Sequence, residues 1–167
     1  MADRFAVSYE IGGVLRAKDI PALVDAVLSD GFSLNYGSED SPEALKQEIE
    51  ECVRNERPFI VSACEIAWGR TETLDEFCRE HGLGYLKRVE GKYEYNGALH
   101  WWKPGMKAEQ EWNDTDKDAT QVMVNLRRLK KFLRSRKTLQ WVVQELSSKA
   151  PTPPPLCIQK NRGRKRQ

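Results

Sequence analysis

The stretch from Pro58 to Met106 constrains the chain most, because it fixes a strand, a helix and a chain reversal in fewer than fifty residues. Phe59 to Trp68 is a nearly unbroken apolar run between Pro58 and Gly69. A run of this length, covered on both faces, suits a central strand. Alternation puts Ile60, Ser62, Cys64, Ile66 and Trp68 on one face, and Phe59, Val61, Ala63, Glu65 and Ala67 on the other. Glu65 is the outlier, a carboxylate among apolar neighbours. Burying it unpaired would cost several kcal/mol, so the sequence predicts a buried Glu65 with a bonding partner. That makes it a candidate site residue.

A short helix follows, capped by Thr71 or Thr73, with Leu74, Phe77 and Cys78 on its apolar side and Gly82 to end it. Asn96-Gly97 is the strongest two-residue signal for a type I′ hairpin. That turn would pair Tyr95 with Ala98, Tyr93 with His100 and Lys92 with Trp101, with positive φ at both turn residues. One face would then carry Tyr93, Tyr95, Ala98, His100 and Trp102, and the other Leu99 and Trp101. With one face in the core, the other is expected to be partly solvated. Tyr93, Tyr95, His100 and Trp102 therefore join Glu65 as candidate site residues that could stack bases, although cross-strand packing is the plainer role for hairpin aromatics.

The runs E-F-C-R-E-H-G at 76–82, K-Y-E-Y-N-G at 92–97 and W-K-P-G-M at 102–106 resemble a family of small α/β proteins associated with phages and other mobile elements. The resemblance covers residues 58–106. It implies a shared fold, since its motifs are a helix end, a hairpin and a loop, and it carries over no activity and no site residue. Members of that family are usually shorter chains, and the basic C-terminal part here departs from their pattern.

Charge is divided unevenly along the chain. Residues 1–126 hold 14 Lys+Arg against 24 Asp+Glu, whereas residues 127–167 hold 13 against Glu145 alone. Such a split points to an acidic partner such as nucleic acid, or to a basic helix lying on an acidic body. The longest helical pattern, about 116–148, has Val122, Leu126, Leu129 and Leu133 on one stripe. Arg127, Lys131 and Arg134 lie opposite it, with Arg128 and Lys130 flanking. Seven of the eleven residues from Arg127 to Lys137 are basic. Arg136 and Lys137 would rotate onto the stripe of an unbroken helix, so a break is expected at 135–137. Pro151, Pro153, Pro154 and Pro155 then suggest an extended spacer. Beyond it Lys160, Arg162, Arg164, Lys165 and Arg166 read as a disordered basic tail.

The rest of the chain fits one domain over 1–148, followed by a spacer and tail over 149–167. Arg4 to Ile11 alternates as a strand that ends or bulges at Gly12-Gly13, and helices are predicted over 19–30 and 42–56. Glu43, Glu48, Glu50, Glu51 and Glu56 make the outer face of the second of these acidic. No segment reaches the ~20 apolar residues of a membrane span, and no secretory leader is visible. Four cysteines without a framework spacing suit reduced thiols in a cytoplasmic protein. Cys78 and His81, with Cys64 and His100, could be drawn as a zinc set, but no C-x-x-C pair supports it. A Cys–His nucleophile lacks an oxyanion loop, and a carboxylate site of Glu65, Glu90 and Glu94 rests on Glu65 alone. No catalytic residue, metal or cofactor is implied.

The sequence thus predicts an α+β fold: a mixed sheet of about four or five strands covered by helices, with C-terminal basic helices and a disordered tail. The strands would be 4–11, 58–68, 84–90 and a hairpin over 92–103. Its expected role is that of a non-enzymatic, nucleic-acid-associated accessory protein, contacting DNA or RNA phosphates through Arg127, Arg128, Lys130, Lys131, Arg134 and the tail. The alternative is a small protein-binding regulator or inhibitor working through its acidic body. Which holds depends on whether the basic helix is free or neutralised by Glu48, Glu51 and their neighbours.

Overall fold

A computed structural model describes residues 3–67, 71–92, 96–113, 115–120, 122–135, 137–147 and 151–159. Strand β1 (Arg4–Arg16) runs through the middle of the sheet. It pairs antiparallel with β2 (Phe59–Ala67) on one side and β3 (Gly84–Val89) on the other. Beyond β3 come β4 (Ala98–Trp102) and β5 (Gln110–Trp112), both antiparallel. A sixth strand, β6 (Leu156–Gln159), lies parallel to the end of β1. Helices α1 (Ile20–Ser29), α2 (Pro42–Arg54) and α3 (Glu72–His81) match the predicted spans closely. The fold is α+β, as expected.

The period-two pattern of β1 buries Val7, Tyr9 and Ile11 under the three helices, together with Tyr85 of β3. Leu23 and Val27 of α1, Leu45 and Ile49 of α2, and Leu74 and Phe77 of α3 complete this main core. Leu86, Leu99, Trp101 and Trp112 form a second cluster on the opposite face, closed by Ala119. Both faces of β4 are therefore packed, so neither set of its aromatics is the solvated one that a single core would leave. Ser41 caps α2 by accepting from the Ala44 N–H at 3.2 Å. The cap of α3 comes from farther away. Asp30 accepts from the Leu74 N–H at 2.8 Å, while the Thr71 hydroxyl bonds the Tyr9 hydroxyl instead.

Several expectations are corrected. β2 is an edge strand rather than a central one, with Ile60 46% exposed. Its outer edge is blunted by a bridge in which Ser33 and Ser62 exchange backbone hydrogen bonds of 2.9 and 2.8 Å. Between Phe5 and Val7 its register slips, since Phe5 faces Ile66 but Val7 faces Ala63. The extra residue is a bulge that breaks the alternation at Cys64 and Glu65 and turns Glu65 outward. Glu65 does have a partner, Arg4 at 2.8 Å, but the two side chains are 69% and 59% exposed, so its expected burial is overturned.

The Asn96-Gly97 hairpin is the second correction. β4 pairs with β3, Val89 facing Ala98 and Lys87 facing His100, so the chain reverses through a wider connection. Gly97 does not have the positive φ that such a turn requires. Gly97 is needed for a different reason: a Cβ there would sit 2.8 Å from the Ala119 nitrogen and the Asp116 carbonyl oxygen. The intended partners Tyr93 and Tyr95 lie outside the described residues.

The third correction concerns the helix predicted from 116. Asp116 instead accepts from the Thr120 N–H at 2.8 Å and its hydroxyl at 2.6 Å. The loop closes through a Thr115–Val122 bridge, and helix starts only at Leu126. Fourth, residues 151–159 are not a spacer. Leu156 is fully buried in the main core, and its N–H donates to the Arg57 carbonyl at 3.2 Å. β1 also continues through Gly12-Gly13 rather than ending there. Among the described residues no helix is long and apolar enough to cross a membrane.

The docking of β6 depends on Gly12, where a Cβ would fall 1.7 Å from the Pro154 carbonyl oxygen. Gly12→Ala should therefore destabilise the protein by about 1–3 kcal/mol through overpacking, read as a lower urea midpoint. It should also raise amide exchange at Leu156–Gln159. An unchanged midpoint and unchanged exchange would mean that the C-terminal strand is not anchored there.

Candidate nucleic-acid interface

The basic stretch forms two short helices, α4 (Leu126–Arg134) and α5 (Leu139–Ser147), separated where the sequence predicts a break. Asn125 caps α4 by accepting from the Arg128 N–H at 2.9 Å. Lys131 and Arg134 lie in its last turn, where cations oppose the negative end of the helix dipole. The Ser135 hydroxyl donates to the Phe132 carbonyl at 2.7 Å and helps stop it.

The leucine stripe of α4 does not face a core. No residue of α4 is buried, and Leu126 and Leu133 are 64% and 69% exposed. The side toward the protein instead carries Arg128, whose guanidinium carbon sits 4.0 Å above the Trp112 ring, and Phe132, edge-on to Trp141 at 5.7 Å. Trp112 itself is buried in the second core cluster, so Arg128 tethers α4 to the sheet by a cation–π contact.

Arg127, Lys130, Lys131 and Arg134 are exposed, and among the described residues none of the four makes an ion pair. The acidic residues expected as alternative partners for them are held elsewhere. Glu48 and Glu51 of α2 lie 2.6 and 3.7 Å from Arg57, on the other side of the sheet. A cleft of about 490 Å³ is lined by Asn125, Arg127, Arg128, Lys130, Lys131 and Arg134. The structure therefore brings the five predicted α4 cations together along one track. Lys160, Arg162, Arg164, Lys165 and Arg166 lie outside the described residues.

The other sequence candidates separate. Glu65 is on the surface at the edge strand. His100 and Trp102 share the helix-covered face of the sheet. Trp102 donates its indole N–H to the Met106 carbonyl at 3.2 Å and stacks on Tyr85, which gives the W-K-P-G-M run a folding role. His100 belongs to a polar network that the sequence reading missed. Its Nδ1 is 2.9 Å from Glu109, and because a carboxylate only accepts, Nδ1 donates that bond. Glu109 also accepts from the Tyr85 hydroxyl at 2.5 Å and lies 3.4 Å from Arg79 and 3.6 Å from Lys87. Lys87 is buried and makes its closest ion pair, 2.9 Å, with Asp75, which also accepts from Tyr9.

Burial alone would raise the Glu109 pKa. The His100 hydrogen bond, the Lys87 charge and the Tyr85 hydrogen bond outweigh it and hold Glu109 at about 2. Burial and the neighbouring carboxylates push the Tyr9 and Tyr85 phenols up, so both remain protonated donors. Each charge in this network has an opposite partner, and its chemistry is that of a clamp joining α3 to β1, β3, β4 and the segment before β5. Asp75 and Arg79, four apart on one helix, were the one local signal. Nothing in the sequence placed Glu109 beside them.

The clamp has a pH signature. Glu109 is depressed below its ordinary value of 4.5, so its contribution to stability is fully present above that value and is lost as pH falls toward about 2. Glu109→Gln should cost about 1–3 kcal/mol at neutral pH and flatten the loss of stability between pH 4.5 and 2 relative to the parent. Parallel acid titration curves for the two proteins would show that Glu109 is not held this way. No protein-family model, curated protein or solved structure matches the chain.

Proposed function

We propose that the protein is a non-enzymatic, nucleic-acid-associated accessory protein that contacts phosphates along α4. The observation that carries this reading is that Arg127, Lys130, Lys131 and Arg134 are exposed and line one cleft while Glu48 and Glu51 are paired with Arg57. Exposed cations on one helix side, with no carboxylate interleaved, suit a polyanion whose charges recur along a line. Contacts of this kind position a nucleic acid without reading its bases, so sequence preference is weak. A protein encoded by a phage or other mobile element, as the resemblance of residues 58–106 suggests for this chain, would meet DNA or RNA routinely.

A second reading, a protein-binding regulator, is favoured by the outward leucine stripe, because apolar side chains gain nothing from phosphates. The outer acidic face of α2 would serve the same role toward a basic partner.

The two readings separate in a binding titration with random-sequence DNA and RNA across salt concentrations. Under the first reading log K falls linearly with log salt. On duplex each phosphate contact contributes about −0.9 to the slope. Arg127→Glu, Lys131→Glu and Arg134→Glu together should remove three contacts, making the slope shallower by roughly 2–3, with an unchanged circular dichroism spectrum. Absence of salt-sensitive binding by the full chain at micromolar concentration would discard this reading in favour of the second.

A further inference from the structure

We propose that the groove between α4 and α5 is a base-stacking site, so that the nucleic acid held by α4 is single-stranded. This rests on the phosphate-contact reading and adds the class of ligand to it. The groove, about 370 Å³, is walled by Trp112, Phe132 and Trp141 and rimmed by Arg128, Lys131 and Lys137. Its volume lies in the range of small-ligand clefts, roughly 300–1,000 Å³.

Three features separate it from an ordinary helix-pair core. Trp141 remains 36% exposed despite its contact with Phe132, although burying the whole ring would be the larger gain for α5. Lys137 places its ammonium 4.8 Å from the Trp141 ring centre, and Arg128 sits over the Trp112 ring, so two indole rings are each paired with a cation at the groove. Arg128 and Lys131 also line the cationic cleft of α4. The phosphate track and the aromatic groove are therefore continuous.

Flat rings beside a row of cations suit unpaired bases, each of which has a π-face, with the connecting phosphates on the cations. In a duplex the bases face inward and their faces are already stacked, so the groove can engage a base only when the strand is single. Glu145 also lines the groove. A carboxylate there disfavours phosphate, which leaves the phosphates to the α4 cleft.

The test compares a fluorescently labelled oligodeoxynucleotide with its duplex, by anisotropy, on the full chain and on Trp141→Ala. The parent should bind the single strand more tightly. Trp141→Ala should weaken single-strand binding about 5- to 100-fold, the loss of one stacked base, and leave duplex binding within about two-fold. Trp141→Phe and Trp141→Leu both keep an apolar plug against Phe132, so if the alanine variant loosens α5 they separate stacking from packing. Phe should retain single-strand affinity and Leu should lose it. Equal parent affinity for both forms, an equal loss on both, or equal behaviour of Phe and Leu overturns the stacking groove while leaving phosphate contact intact. Binding of neither form overturns phosphate contact itself.

Discussion

Backbone pairing along both edges of β1 is the constraint on which the rest of this structure depends. β2 and β3 bond to its two sides over residues 4–12, and β6 takes the last four residues, 13–16. Because strand side chains alternate, one register decision on β1 places Val7, Tyr9 and Ile11 under the helices. It also sets Tyr9, Lys87 and His100 in a row across the sheet, and the polar clamp forms around that row. A one-residue slip of β1 would invert every one of these side chains. The Gly12 contact with Pro154 and the bulge opposite Ala6 are therefore part of the same specification.

Local features of this fold were legible in the sequence, and the choice of partner was not. Helices α1 to α3 appeared within a few residues of their observed ends because amphipathic spacing, Pro at the first turn and Ser41 are local signals. The apolar run at 59–68 suggests a central strand because composition reports burial, and here the helices bury the inner face of an edge strand whose outer edge is bridged by Ser33. Asn96-Gly97 was read as a turn because that pair favours one in isolation, but β4 gains more by pairing Leu99 and Trp101 beside Leu86 and Trp112. Pro151 to Pro155 suggested a spacer for a similar reason. Proline removes donors, and yet the Pro155 carbonyl still accepts from the Gly13 N–H at 3.2 Å, a bond that a proline can accept.

The candidate site divides the same way. Its cations were visible as a cluster, and the break between α4 and α5 followed from where Arg136 and Lys137 would have pointed. The orientation of α4 did not follow. Helical periodicity says which residues share a face, but it does not say whether that face meets the protein. Here the body offers α4 a tryptophan already seated in a core, and Arg128 on Trp112 outcompetes a stripe of three leucines for the contact. An aromatic-cation pair sixteen residues apart has no signature in either segment alone.

The charge asymmetry of the chain acquires a spatial meaning from this arrangement. α2, with Glu43, Glu50 and Glu51 exposed, packs into the main core on one face of the sheet, whereas α4 leans on Trp112 on the other. At physiological salt the Debye length is about 8 Å, shorter than the thickness of a sheet with its covering layers, whose packing alone spans about 10 Å. The two charge populations therefore do not cancel at the surface. A polyanion approaching the α2 side meets repulsion, and one approaching α4 meets attraction. An acidic body with a separate basic helix thus restricts a polyanion to one face, which a uniformly basic surface of the same net charge would not do.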